Sequence, residues 1–207
     1  MDVNRLTQLM SAPPPFLART MLLWVTGSVN AAMLPYWLNW LRQIYPDLRT
    51  SVILTPAAER FVSVLALRNL VTGEVWRDSW DDPLMPASHV VLEDAAQCFA
   101  IFPATLNSTM ALASGAAYSP ALMCLQVTKK PIALAPSFPG TNEVVEKHLE
   151  MLLSRPNVFL SEQVSAFSVG KGEWSGQTGA FMPLLIEALA ARLADSEGSL
   201  ATSTGTA

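Results

Sequence analysis

Short, unbroken apolar runs set the terms on which this chain can fold. Residues 21–25 read MLLWV, 51–54 SVIL, 98–102 CFAIF, 131–135 PIALA and 158–160 VFL. None alternates apolar with polar residues, as a strand with one wet face would. Strands that are apolar on both faces belong to a sheet covered on both sides, which means a mainly parallel sheet with crossover helices. The intervening segments supply those helices. Met33, Trp37, Leu38, Leu41 and Ile44 recur at close to helical spacing within residues 31–44. Residues 57–70, 107–117, 143–154 and 181–193 read as further helices. Strand, glycine turn and helix over residues 21–44 open a βαβ unit. The expected fold class is α/β, doubly wound, with helices on both faces of the sheet. Residues 89–92 and 121–127 are two more apolar stretches, and the Trp- and Asp-rich residues 73–85 read as surface, with Asp78, Asp81 and Asp82 in a solvated loop. The expected organisation is an N-terminal arm (1–20), one domain (21–194) and a Ser/Thr/Gly/Ala tail (195–207) that reads as disordered.

Composition narrows the function classes. Of the 207 residues, 51% are hydrophobic and 14% charged, against about a quarter charged in an average domain. A net charge of −4 offers no basic footprint for a nucleic acid. So little charge points to a large core with subunit interfaces, or to a membrane. Residues 21–41 and 97–128 carry no charge, but Thr26, Asn30, Pro35, Pro103, Asn107 and Pro120 interrupt them. Such groups are costly in lipid, so no membrane span is expected. No signal-peptide pattern opens the chain, and a cytoplasmic location is expected. The two cysteines, Cys98 and Cys124, sit in apolar runs and read as buried thiols. No Cys/His spacing suits a metal.

In doubly wound sheets ligands bind beyond the carboxyl ends of the strands. Those positions hold Gly27-Ser28, Thr55-Pro56, residues 103–108 (PATLNS) and residues 136–142 (PSFPGTN). Ser28, Thr55, Thr105 and Ser108 precede helix starts. Each hydroxyl is either an ordinary N-cap or part of a cradle for a phosphate-bearing ligand. Neither GxGxxG nor GxxxxGK[ST] is present, so the usual dinucleotide and triphosphate loops are absent.

Residues 103–115 (PATLNSTMALASG) resemble the PASANT motif and its following helix in the flavin-dependent cysteine decarboxylases. That family includes the lantibiotic, epidermin-type peptidyl-cysteine decarboxylases and phosphopantothenoylcysteine decarboxylase. VTGSVNAA (25–32) resembles the family's first flavin-phosphate turn, and ILTPAAERF (53–61) its second strand and flavin loop. DDPLMPASHVVLE (81–93) is similar to the segment that carries the active-site histidine, and His89 precedes Pro103 by 14 positions, as expected there. The resemblance implies a flavin, FMN or alternatively FAD, held by Gly27, Ser28, Val29, Thr55, Phe61, Pro103, Ala104, Thr105, Asn107 and Ser108. It implies His89 as base or proton carrier. Taken alone, that residue reads more readily as a structural histidine.

The family's PxMNxxMW motif gives way to PSFPGTNE at residues 136–143. Its carboxylate-holding asparagine aligns with Pro139, which leaves Asn142 as the candidate replacement. Pro136, Ser137 and Phe138 then belong to the substrate site. Residues 161–178 are a counterpart to the mobile substrate clamp, with Lys171 and Trp174 near the tip. The reductive cysteine of phosphopantothenoylcysteine decarboxylases is missing from this stretch, which favours release of an oxidised enethiol. The implied activity is oxidative decarboxylation of the C-terminal cysteine of a ribosomally made precursor peptide, toward aminovinyl-cysteine formation. The implied assembly is a homotrimer or homododecamer. Phosphopantothenoylcysteine decarboxylase, a flavin prenyltransferase drawing on Lys129, Lys130 and Arg155, and a non-catalytic regulatory flavoprotein are the alternatives.

Overall fold

The computed structural model describes residues 3–82, 88–168 and 171–203. Six strands form one parallel sheet: β1 (Thr20–Val25), β2 (Arg49–Leu54), β3 (Val75–Arg77), β4 (Cys98–Thr105), β5 (Ile132–Ser137) and β6 (Val158–Leu160). Their order across the sheet is β3-β2-β1-β4-β5-β6, each pair parallel. The chain therefore leaves β1 toward one edge and returns to the other side of it, which puts the topological switch point between β1 and β4.

The unbroken apolar runs face two cores. Met21, Leu23 and Val25 pack on one face with Leu38, Leu41 and Leu185. Leu22 and Trp24 face the other, with Ile101, Leu122 and Leu125. The flanking helices are α2 (Leu34–Ile44), α3 (Val64–Arg68), α4 (Ser88–Ala95), α5 (Leu106–Ala113), α6 (Pro120–Val127), α7 (Glu143–Leu153) and α8 (Met182–Ser203). The N-terminal arm is also ordered. Its helix α1 (Val3–Ser11) is tied down by Arg5, which pairs with Glu162 and Glu187, and by the Trp40 indole N–H, which donates to the Met10 carbonyl at 3.2 Å.

Several segments differ from expectation. Residues 121–127 form helix α6, because Ser119 caps its start and Pro120 occupies the first turn. Residues 89–92 lie within α4, and residues 57–70 break into a 3-10 turn (Ala58–Arg60) followed by α3. Residues 73–85 contain edge strand β3, so Trp76 and Asp78 are buried rather than solvated. Helix α8 continues to Ser203, past the expected start of a tail at Asp195; residues 204–207 lie outside the described residues. Within the expected clamp, 161–178, β7 (Val164–Ser168) pairs antiparallel with β8 (Glu173–Thr178) as a separate two-stranded sheet.

Candidate functional site

The exits of β1 and β4, the two central strands, are joined by hydroxyls. Thr26, buried just past β1, donates through Oγ1 to the Pro103 carbonyl at 2.6 Å. The Thr105 backbone N–H returns a bond to Thr26 Oγ1 at 3.1 Å. Thr105 Oγ1 lies 2.8 Å from Ser108 Oγ, and Ser108 Oγ lies 3.3 Å from Thr26 Oγ1. Thr105 also caps α5 by accepting from the Ser108 N–H. At the β2 exit the Thr55 hydroxyl donates to the Val25 carbonyl at 3.2 Å and accepts from the Ala58 N–H at 3.2 Å. Thr55 and Thr105 thus cap a turn and a helix and also line one cavity of about 570 Å³. That volume falls in the range of small-molecule and cofactor sites.

Of the candidate flavin-binding residues, Gly27, Thr55, Thr105, Asn107 and Ser108 line this cavity. Ser28, next to Gly27, is not among the lining residues; it caps the 3-10 turn Val29–Met33, and its Oγ sits 3.3 Å from Ser137 Oγ. Pro103 and Ala104 are buried in β4, where Ala104 pairs with Pro136 of β5. Val29 and Phe61 are exposed. Among the described residues nothing basic lines the cavity: Lys130 is drawn to Glu93, and Arg155 donates to the Leu125 carbonyl. A phosphate there would be held by hydroxyls and unpaired N–H groups at helix starts, and the donor set present fits that task.

The cavity also holds residues outside the sequence-predicted flavin set. Trp24, Asp78, Trp80, Tyr118 and Ser119 line it. Asp78 accepts from the Trp24 indole N–H, the Ser119 hydroxyl and the Ala121 N–H, each at 2.9 Å. Burial pushes its carboxyl above the ordinary carboxylate range, against the pull of those three donors. The signal was available: Asp78 directly follows β3, at a strand's carboxyl end, but a three-residue edge strand is too short to read from periodicity.

His89 stands in the first turn of α4, half-buried, with its ring edge-on to Trp80 at 6.4 Å between centroids. Its Nδ1 is buried and has no hydrogen-bond partner among the described residues. The Trp80 indole N–H donates to the Tyr118 carbonyl at 2.8 Å, which pins the ring that His89 packs against; Trp80 lines the cavity, and His89 is not among its lining residues. His148, by contrast, bonds the Val144 carbonyl of its own helix.

The candidate substrate residues gather on the β5 side. Asn30 Nδ2 donates to Ser137 Oγ at 3.1 Å and to Thr178 Oγ1 at 3.3 Å, joining the β1 exit, the end of β5 and the foot of the hairpin. Gly179 closes the same junction: its N–H donates to the Pro136 carbonyl at 2.6 Å, and a Cβ there would lie 2.4 Å from Pro136 Cδ. Phe138 directly follows β5. The hairpin projects an edge-to-face pair, Phe167 and Trp174, at 5.9 Å, with Trp174 74% exposed. Lys171 lies in the connection between the strands. Asn142 is exposed and caps α7, its Oδ1 accepting from the Val144 and Val145 N–H groups at 3.0 Å each. Among the described residues no group of His, Cys, Asp and Glu is arranged to hold a metal, and no helix is long and apolar enough to cross a membrane.

Fold and cavity together define a doubly wound α/β protein with a hydroxyl-lined cavity beyond its strand ends, where sheets of this kind bind ligands. The flavoprotein family model matches residues 16–178, and the chain belongs to that family. It is 50% identical over 142 residues to a cypemycin cysteine dehydrogenase (decarboxylating) from Streptomyces sp, covering 68% of this chain and 75% of that protein. The crystal structure of the cypemycin decarboxylase CypD superposes with a TM-score of 0.77 at 41% identity, over 89% of this chain and 98% of that one. TvaF, an FMN-dependent cysteine decarboxylase from thioviridamide biosynthesis, gives 0.62 at 27% identity, over 69% of this chain and 89% of its own.

Proposed function

We propose that this chain is an FMN-dependent peptidyl-cysteine decarboxylase. It removes CO₂ oxidatively from the C-terminal cysteine of a ribosomally made precursor peptide and yields an aminoenethiol for aminovinyl-cysteine formation in lantibiotic-type biosynthesis. The observation that carries the reading is the 50% identity to the cypemycin enzyme, in a chain that sets a hydroxyl-lined cavity beside the His89–Trp80 pair.

A C-terminal cysteine has no electron sink for decarboxylation. FMN, when bound, supplies the two-electron acceptor. Two hydrogens leave the substrate's Cβ–SH unit, the carboxylate then sits β to a C=S group, and CO₂ departs to leave the enethiol. Thr55, Thr105 and Ser108 hold the cofactor's polar end, while Gly27 lets the backbone come close. His89 carries a proton at the substrate thiol or carboxyl. Its unpartnered Nδ1 supports that role. Asn142 and the β5 end receive the substrate carboxylate. The hairpin, with Lys171 and Trp174, closes over the residues that precede the cysteine.

The protein works in the cytoplasm as a homotrimer or a dodecamer built from trimers. The exposed Val29, Met33 and Tyr36 on one short segment, and the low charge content, support an assembly. Mass spectrometry of a synthetic peptide ending in cysteine, incubated with the yellow protein in air, tests the function. Loss of CO₂ and two hydrogens is expected. An unchanged peptide alongside flavin-loaded protein would overturn the assignment for that substrate class.

A further inference from the structure

We propose that Asp78 is a positioning residue of the flavin site, clamping the start of α6 and the Trp24 indole into one fixed cavity wall. The inference rests on the cavity's being the flavin site. Asp78 is 6% exposed, and a carboxylate so placed is costly unless its oxygens are satisfied. Here Oδ2 takes the Trp24 N–H and the Ser119 O–H, and Oδ1 takes the Ala121 N–H. These donors come from β1, from the N-cap of α6 and from its first turn. One side chain at the β3 exit thus ties three parts of the fold together.

Position gives the network its functional reach. Trp24, Asp78 and Ser119 all line the same cavity as Thr55, Thr105 and Ser108. Ser119 also caps α6 through the Leu122 N–H, so its hydroxyl orients the helix as well as bonding the carboxylate. Two residues on, the Trp80 indole N–H grips the Tyr118 carbonyl. The segment from Asp78 to Trp80 therefore clasps residues 118–121 at two points and sets how far that wall stands from the hydroxyl cradle. All three donors point at Asp78, so asparagine cannot replace it: its NH₂ would confront an N–H or O–H where an acceptor is required.

FMN titration of the apoprotein, followed by quenching of flavin fluorescence, tests this together with the visible circular dichroism of the bound flavin. Asp78→Asn is expected to weaken FMN binding about tenfold and to change the dichroism at saturating FMN. Ser119→Ala and Trp24→Phe are expected to weaken binding several-fold each. The Asp78→Asn/Ser119→Ala double variant is expected to bind no more weakly than Asp78→Asn alone. A folded Asp78→Asn protein with native affinity and dichroism overturns the inference, and so does full additivity in the double variant. If Asp78→Asn does not fold, native affinity in both Ser119→Ala and Trp24→Phe overturns it. Wild-type protein that binds no FMN overturns the flavin reading and this inference together.

Discussion

Gly27 and Ala57 touch across the exits of neighbouring strands: a Cβ placed on Gly27 would lie 2.5 Å from Ala57 Cβ and 3.0 Å from its carbonyl carbon. The strands beneath them are locked in register, with Val25 opposite Leu54, so neither turn can retreat without shifting the sheet. Both residues line the cavity, and their contact draws the β1 and β2 exits together into one cradle. Gly27→Ala is expected to cost about 1–3 kcal/mol of stability through overpacking and to weaken FMN binding as the turns separate. Thermal melts of the apoprotein and FMN titration measure the two effects. Native values for both would show that the turns yield freely.

His89→Asn separates cofactor binding from chemistry. Asparagine keeps a polar side chain of similar reach but carries no proton near neutral pH. The variant is expected to stay yellow, with FMN affinity unchanged, while decarboxylation of a cysteine-terminated peptide falls at least about a hundredfold. Turnover at the wild-type rate would remove His89 from the proton-transfer role.

The two preceding predictions rest on residues that the sequence makes legible, and the reason is local. Gly27, Thr55, Thr105 and Ser108 follow apolar runs of four or five residues, so their place at the ligand edge can be read from the run that precedes each. Asp78 cannot be read that way. Its strand is three residues long, and its donors, Trp24, Ser119 and Ala121, are remote in sequence. Only the pairing of β3 with β2 brings them together. Helix α6 is obscured for a different reason. It is buried along Ala121, Leu122, Cys124 and Leu125, so its pattern resembles a core strand and only the Ser119-Pro120 cap marks it as a helix.

Asn142 has two separable duties in this scheme. Its Oδ1 caps α7, and its NH₂ is the group available to a substrate carboxylate. Asn142→Asp keeps the capping oxygen and replaces the NH₂ with a charge that repels a carboxylate. The melting temperature is expected to hold, since aspartate caps as well as asparagine. The kcat/KM for the cysteine-terminated peptide is expected to fall about tenfold or more. Asn142→Ala, which removes both groups, is expected to cost a further ~1 kcal/mol of stability. An unchanged kcat/KM in Asn142→Asp would confine the residue to its cap.

Trp174 packs edge-to-face on Phe167 in a hairpin that pairs with no strand of the main sheet. At 74% exposure it contributes little to the folded core, and a two-stranded hairpin of this kind gains most from packing on something else. Trp174→Ala is therefore expected to leave the melting temperature unchanged. For a long peptide it is expected to raise KM several-fold with kcat nearly constant, the pattern for lost binding that is equal in ground and transition states. A fall in kcat at constant KM would place the hairpin in the chemical step instead.

Both thiols are withheld from the chemistry. Burial pushes Cys98 from about 9 up to about 12. Burial, aided by the neighbouring Glu93 carboxylate and opposed by Lys130, does the same for Cys124. Neither lines the cavity, so neither is placed to return electrons to a decarboxylated intermediate there, and the oxidised enethiol is the product expected under the proposed function. At pH 8 a disulfide reagent is expected to label neither cysteine in the native protein and both after denaturation, because the folded thiols stay protonated and covered. The same shift sets an alkaline limit on stability. Above about pH 9 the unfolded chain releases thiol protons that the folded chain keeps until about pH 12, and Tyr45, raised by burial from about 10 to about 12, behaves alike. The unfolded state then binds fewer protons, so stability falls as pH rises through that window. Melting temperatures between pH 8 and pH 11 should decline steadily, and Cys98→Ala/Cys124→Ala protein should show a shallower decline while giving the same enethiol product. Rapid native labelling, or a saturated product from the wild-type enzyme, would contradict this account of the thiols.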